Sequence, residues 1–278
     1  MEVISAKRWL SWVPRTVLLC ALMLGCTANA DALSGAAADA AAAAAPADLT
    51  LPAPLIVLDP GHNPKQPGAL GFRGVYEVDY NNAFCAGLAD ALRKSGFRVT
   101  LTHLPGQAIG LEDRPKFAEA AQGDLFVAIH HDSAQLMYLE KTEYHGKPAY
   151  KTRMSLSGYS IFVSEKNPFY DRSRYLAQLL GESLHELGRA PSHHHAEHIP
   201  GENRAPLDAI LGIYRFDDLI VLKKTALPAV LIELGVIDDE TDEAYVSNDA
   251  NQQRMQHAIV NALKRYYEHA ANGRKPAN

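Results

Sequence analysis

Three short apolar runs organise the chain: Leu55-Ile56-Val57-Leu58, Leu125-Phe126-Val127-Ala128-Ile129 and Ala229-Val230-Leu231-Ile232. Each is about strand length and lacks a polar face, the pattern of a strand covered on both sides. Phe97-Arg98-Val99-Thr100-Leu101 alternates and predicts another strand, as does Tyr159 to Val163. Helical spacing appears between and after them. Ala83 to Lys94 places Phe84, Leu88 and Leu92 one turn apart, and Tyr175 to Leu187 repeats the pattern with Leu176, Leu179, Leu180 and Leu184. Gln252 to Tyr267 stacks Met255, Ile259, Leu263 and Tyr266 on one face. Strands alternating with helices predict an α/β fold, a three-layer sandwich with a mostly parallel twisted sheet flanked by helices.

Composition narrows this to one sizeable domain. With 278 residues, 47% hydrophobic and 21% charged, the chain can bury a core and is not wholesale disordered. A net charge of -5 excludes a cationic nucleic-acid binder. The start resembles an export signal over residues 1–30: Lys7, Arg8 and Arg15 flank a short apolar run from Val17 to Leu24, and Ala28-Asn29-Ala30 offers a cleavage site. Leu24-Gly25-Cys26 resembles a bacterial lipobox, although Met23 is unusual at its first position, so a lipoprotein signal ending at residue 25 and lipidation of Cys26 stand beside cleavage after Ala30. Either route predicts an exported, periplasmic protein. Loss of Lys7, Arg8, Arg15 and Glu2 with the leader leaves about -7. It also leaves Cys85 as the single cysteine, so no internal disulfide is expected. Residues 31–53 are alanine-rich without apolar periodicity and read as a tether. The folded domain is expected over 54–270, with a disordered tail over 271–278.

The residues just past each buried run carry the chemistry. The first run ends in Asp59-Pro60-Gly61-His62, the second in His130-His131-Asp132-Ser133 and the third in Glu233-Leu234-Gly235. In open α/β sheets ligands gather outside the carboxyl ends of the strands, so three segments deliver His, His and Glu to one edge. Glu77 joins them from the Tyr76-Glu77-Val78-Asp79 segment, which closes a loop containing Gly68, Gly71 and Gly74 at a predicted helix start. Two imidazoles and a carboxylate suit a catalytic zinc, and the remaining carboxylate could then act as a base. Taken singly, His62 could be a turn histidine, His130 a core histidine and Glu77 a helix-start carboxylate. Glu233 is different, because an unpaired carboxylate within an apolar strand costs several kcal/mol and requires a partner.

The ordered motifs Leu58-Asp59-Pro60-Gly61-His62, Gly74-Val75-Tyr76-Glu77-Val78-Asp79, Val127-Ala128-Ile129-His130 and Pro228-Ala229-Val230-Leu231-Ile232-Glu233-Leu234-Gly235 resemble those of the zinc-dependent N-acetylmuramoyl-L-alanine amidases of the type 3 class. The resemblance runs from about Leu55 to Tyr267 and includes Leu101-Thr102 and the Leu111 to Arg114 stretch. It implies one zinc ion per chain, held by His62, Glu77 and His130, with Glu233 as the catalytic residue. Asp59 would orient a ligand or its loop, and Arg114 would be structural. The implied activity is a peptidoglycan hydrolase, cutting the amide between N-acetylmuramic acid and the L-alanine of the stem peptide during wall remodelling or daughter-cell separation. Peptidoglycan and a protein activator are the expected partners, nucleic acid is not, and a monomer is the default. Two alternatives stay open: a zinc peptidase acting within the stem peptides, and a non-catalytic wall-binding regulator.

The chain departs from the family where Ala128-Ile129-His130-His131-Asp132 replaces the usual Ser-Ile-His-Ala-Asn. Alternation along a strand lets only one of the two histidines reach a metal, and position favours His130. Ala134 to Ser157 is longer than the link usual at that point and carries Tyr138, Tyr144 and Tyr150 with several cations, either an insertion beside the site or an ordinary surface loop. His193-His194-His195-Ala196-Glu197-His198, bracketed by Pro191, Pro200 and Gly201, reads as a solvated loop with adventitious metal affinity. Asp238-Asp239-Glu240 with Asp242-Glu243 reads as a solvated helix start.

Overall fold

The computed structural model describes residues 52 to 271. The expected leader, nearly all of the expected tether and the tail past Ala271 lie outside the described residues. Among the described residues no helix is long and apolar enough to cross a membrane.

The three apolar runs are neighbouring strands. β1 (Leu55–Pro60) pairs in parallel with β2 (Arg98–Leu101) on one side and with β3 (Leu125–Asp132) on the other, and β3 pairs in parallel with β9 (Ala229–Val236). Beyond β9 the sheet turns mixed. β6 (Ser160–Val163) runs antiparallel to β9 and parallel to β8 (Ile213–Arg215), and β7 (Ala205–Asp208) closes the edge antiparallel to β8. The seven-stranded order is β2-β1-β3-β9-β6-β8-β7. A separate hairpin of β4 (Leu139–Tyr144) and β5 (Lys147–Thr152) occupies the predicted insertion, so that segment is ordered as two strands.

Alternation along the central strands splits the core in two. Ile56, Leu58, Leu125, Val127, Ile129, Val230 and Ile232 face α1 (Glu77–Lys94), α3 (Tyr170–Glu186) and α6 (Asp249–Ala271) in one apolar cluster. Val57, Phe126, Ala128, Ala229 and Leu231 face α2 (Asp113–Ala120) and α4 (Ile220–Lys224) in a smaller one. Helices on both faces of a mostly parallel sheet make the three-layer α/β sandwich. The short helix α5 (Glu240–Val246) packs against β9 and α6.

The acidic run is a helix start, but it is not solvated. Asp238, Asp239, Asp242 and Glu243 are buried and all serve as acceptors. Asp239 caps α5 through the amides of Thr241 and Asp242. Asp242 pairs with Arg189 and accepts from the amides of Gly158 and Val236, while Glu243 accepts from the Arg73 amide and the Tyr80 hydroxyl. Fixed donors replace the water these side chains lose, although burial still pushes Asp238 up to about 7 and raises Glu243.

Candidate functional site

His62 follows β1 in a left-handed backbone conformation, φ 67°. Arg114, fully buried, holds that turn by donating to Asp59 Oδ1 at 2.9 Å, to the Pro60 carbonyl at 2.7 Å and to the His62 carbonyl at 2.6 Å. Thr102, just past the end of β2, donates to the same Asp59 oxygen. Asp59 and Arg114 thus act on the backbone that carries His62. The His62 ring is set by its Nδ1 against the Gln66 carbonyl at 3.2 Å, which turns Nε2 to Glu77 Oε2 at 2.8 Å.

Glu77 is the first residue of α1, which begins six residues before the apolar periodicity of Ala83 to Lys94. Its second oxygen, Oε1, lies 2.9 Å from His130 Nδ1. One donor atom from each of His62, Glu77 and His130 therefore falls within 4.8 Å of the other two. Two glycines leave room for this arrangement. A Cβ at Gly61 would overlap the His130 ring, and one at Gly68 would overlap Glu77 Oε2. The electrostatics tie the group together. Burial pushes the Glu77 carboxyl up, but hydrogen bonds from His130 and His62 outweigh it and hold it far below the usual range. Burial disfavours protonation of His62, and the Glu77 contact overcomes that and raises it.

Alternation separates the adjacent histidines of β3. His130 joins the cluster, whereas His131 is buried on the opposite face beside Tyr80 and Phe84. Its Nδ1 meets Asn81 Oδ1 at 2.8 Å, and burial lowers its pKa to about 3, so the ring is neutral. Asn81 also donates to Glu77 Oε1 and to the Gly61 carbonyl, both at 3.2 Å. This orienting residue was missed from sequence, though its position one helical turn after Glu77 is the signal for it.

Glu233 is the register partner of His130 on the adjoining strand. Its Oε2 is shielded from solvent and has no hydrogen-bond partner. Burial, then the charges of Asp132, Glu77 and Glu202, raise its pKa well above the ordinary value. A cleft of about 470 Å³ runs past His62, Arg114 and His130. It adjoins a second cavity of about 200 Å³ that reaches Asp132, His195 and Glu233, with His130, Leu219 and Leu231 shared between them.

The histidine run is not a solvated loop throughout. His193 and His198 are exposed, but His194 and His195 are buried in a 3-10 turn, His194–Ala196, beside β8 and the end of β3. Both present Nε2 to Asp132 Oδ2, at 3.0 and 2.9 Å. The sequence shows the histidines but not their half-buried partner, about sixty residues earlier in the chain.

Histidines and carboxylates gathered at the carboxyl edge of a mostly parallel sheet define a class, α/β proteins with a metal-suited His/Glu cluster at the sheet edge. Within it, the sequence pattern of the N-acetylmuramoyl-L-alanine amidase family (Amidase_3) matches residues 56–265, and the chain belongs to that family. It is 28% identical over 215 residues to the probable cell wall amidase LytH of Staphylococcus aureus, an alignment covering 76% of this chain and 58% of that protein. The chain thus matches rather more than half of that curated relative's length. The fold is similar to that of the N-acetylmuramoyl-L-alanine amidase from Clostridium difficile 630, at TM-score 0.60 and 22% identity, covering 78% of this chain and 98% of that one. It is also similar to the CwlD amidase of Clostridioides difficile, solved in complex with the GerS lipoprotein, at TM-score 0.57 and 21% identity, covering 77% and 98%.

Proposed function

We propose that this chain is a zinc-dependent N-acetylmuramoyl-L-alanine amidase that hydrolyses the amide joining the lactyl group of N-acetylmuramic acid to the first L-alanine of the stem peptide. The observation that carries the reading is the convergence of His62, Glu77 and His130 donor atoms beside Glu233. The donor set fits zinc: two imidazoles and one carboxylate leave a fourth position open. The absence of a Cβ at Gly61 and Gly68 leaves room for the His130 and Glu77 side chains. When bound, zinc supplies a Lewis acid that polarises the scissile carbonyl and makes a water more acidic.

The chain's own residues do the rest. The Gln66 carbonyl fixes the His62 tautomer by accepting from Nδ1, leaving Nε2 as the ligand atom. Asn81 holds Glu77 by donating to Oε1. Glu233 takes the proton from the attacking water and passes it to the departing amine of L-alanine. Its raised proton affinity, set by burial and neighbouring carboxylates, suits that shuttle. The two joined cavities offer a path for the glycan on one side and the peptide on the other.

This reading places the enzyme outside the cytoplasm, in the periplasm, with residues 1–30 as export signal or a lipid anchor at Cys26, residues 31–53 as tether and 54–270 as the catalytic domain. Peptidoglycan is the substrate in wall remodelling, and a protein activator is the expected partner, a role compatible with the lipoprotein bound to the similar CwlD amidase. The test is mass analysis of sacculus digests by the wild type and Glu233→Ala, each with measured zinc content. The wild type should separate glycan from intact peptide. Glu233→Ala should keep its zinc and lose roughly 10²–10⁴-fold in rate. Cleavage within the stem peptide would identify a peptidase, and binding without release by zinc-loaded protein a wall-binding regulator.

A further inference from the structure

We propose that Asp132, His194 and His195 form a second divalent-metal site, of the zinc class, distinct from His62, Glu77 and His130. The three donor atoms, Asp132 Oδ2 and the two Nε2 atoms, lie within 4.8 Å of one another. Asp132 Oδ2 sits 3.0 Å from His194 Nε2 and 2.9 Å from His195 Nε2, yet none of the three atoms completes a hydrogen bond of good geometry. All three are shut off from solvent. Donors of a tetrahedral zinc stand roughly 3.3 Å apart, given metal–nitrogen distances of about 2.0–2.1 Å. The two carboxylate–ring separations fall a few tenths of an ångström short of that spacing, and the two Nε2 atoms lie within 4.8 Å of each other.

Each ligand is also held from behind. The Ser133 amide donates to Asp132 Oδ1 at 2.7 Å, leaving Oδ2 free. His194 Nδ1 meets Ser192 Oγ at 2.6 Å, and His195 Nδ1 meets Glu202 Oε2 at 3.0 Å. Glu202 is itself held by Gln135 Nε2 at 2.6 Å. Glu202, accepting from His195 Nδ1, favours the tautomer that leaves Nε2 as a lone pair, and Ser192 Oγ can do the same for His194 by accepting, the arrangement found behind metal-bound histidines. Aromatic contacts orient the His195 ring, with Phe162 at 4.9 Å and Tyr214 at 5.7 Å between centroids. The Tyr214 hydroxyl fixes the loop by donating to the Ser192 carbonyl at 2.7 Å.

Two imidazoles and one carboxylate select a borderline transition cation over calcium or magnesium, which take oxygen donors. The site also has an approach. Asp132 and His195 line the 200 Å³ cavity together with Glu233, so an ion there would border the same cavity as the proposed base. A bulge in the β3–β9 register between His130 and Asp132 falls where the chain passes from one cluster to the other. The competing arrangement is a protonated His195 bridging Asp132 and Glu202, which binds no metal.

The experiment counts zinc on the full chain, made without an affinity tag, stripped with a chelator, reloaded and dialysed. Wild type should hold two equivalents, and His62→Ala, His194→Gln and His195→Gln one each. The His193→Ala/His198→Ala double variant should keep two, since those rings are exposed. Titration with cobalt, read by its visible absorption, gives the same count without any variant in this loop. One equivalent in the wild type, lost in His62→Ala and kept in His195→Gln, would overturn the proposal. One equivalent kept in His62→Ala and lost in His195→Gln would uphold it while sinking the reading of the first centre. Loss of an equivalent in the His193/His198 double variant would also overturn it.

Discussion

Arg114 bears on the site without touching any proposed ligand side chain. It is 1% exposed, and its three hydrogen bonds reach the carboxylate of Asp59 and two carbonyls of the turn that carries His62. A non-glycine residue in the left-handed region costs about 1–2 kcal/mol and persists only where its surroundings over-determine it. Arg114→Met would leave the Asp59 carboxylate buried without its cation, a loss of about 3–5 kcal/mol. It would also free the His62 carbonyl to leave its strained conformation. We expect a lower urea midpoint and at least a tenfold weaker zinc affinity, measured by competition with a chelator; unchanged values for both would remove Arg114 from this role. His62, Glu77, His130 and Glu233 were legible in sequence because each ends an apolar run or opens a helix, where the fold class dictates an edge. Asn81, Ser192 and Glu202 were not, because their value lies in which side-chain atom they hold, and that depends on contacts the sequence pattern does not encode.

The β4–β5 hairpin packs against the glycine-rich loop that leads into Glu77. Its turn places His145 at φ 48° and Gly146 at φ 75°, two successive left-handed residues that match the twist of a two-residue hairpin loop. Tyr144 packs on Phe72 of the glycine-rich loop, with ring centroids 5.6 Å apart, and Leu139 and Tyr150 wall a cavity of about 300 Å³ with Ala69 and Leu70. That loop leads into Glu77, so the hairpin stands beside the proposed substrate path rather than in it. Replacing residues 139–152 by a short Gly-Ser link should raise KM for polymeric wall several-fold while leaving zinc content unchanged. An unaltered KM would reduce the hairpin to a surface ornament. Sequence pattern revealed β1, β3, β9, β2 and β6 because each lies within a continuous or alternating apolar run. It was silent on β7 and β8, which are four and three residues long, and on α4, with five. These elements owe their conformation to sheet pairing and packing, not to local periodicity. The buried acids of α5 were misread for a related reason: a run of carboxylates looks solvated until its donors arrive from Arg189, Arg73 and Tyr80.

At the scale of the molecule, the proposed metal sites lie at the edge of the sheet, outside the two apolar clusters of the core. The two apolar clusters hold all of the central strands, and Cys85 is a free thiol buried in the larger one. The proposed ligands, by contrast, come from the β1 turn, α1 and β3, and for the second site from β3 and the loop before β7. An ion at either place joins segments that are otherwise linked mainly through the sheet. Removing metal should therefore leave the fold standing, unlike a zinc finger, where binding free energy is folding free energy. Far-ultraviolet circular dichroism of chelator-stripped protein should match that of the loaded form. Its thermal midpoint should not. At free zinc one hundred times the dissociation constant, binding stabilises the native state by about 2.7 kcal/mol per site. For a domain of this size, a shift of about 2–4 °C per kcal/mol converts that to roughly 5–11 °C per site. The first centre and the second should contribute separately, so His62→Ala and His195→Gln should each lose one increment and the double variant both, in a thermal scan at fixed zinc. A midpoint indifferent to chelation would mean that no ion holds the edge together.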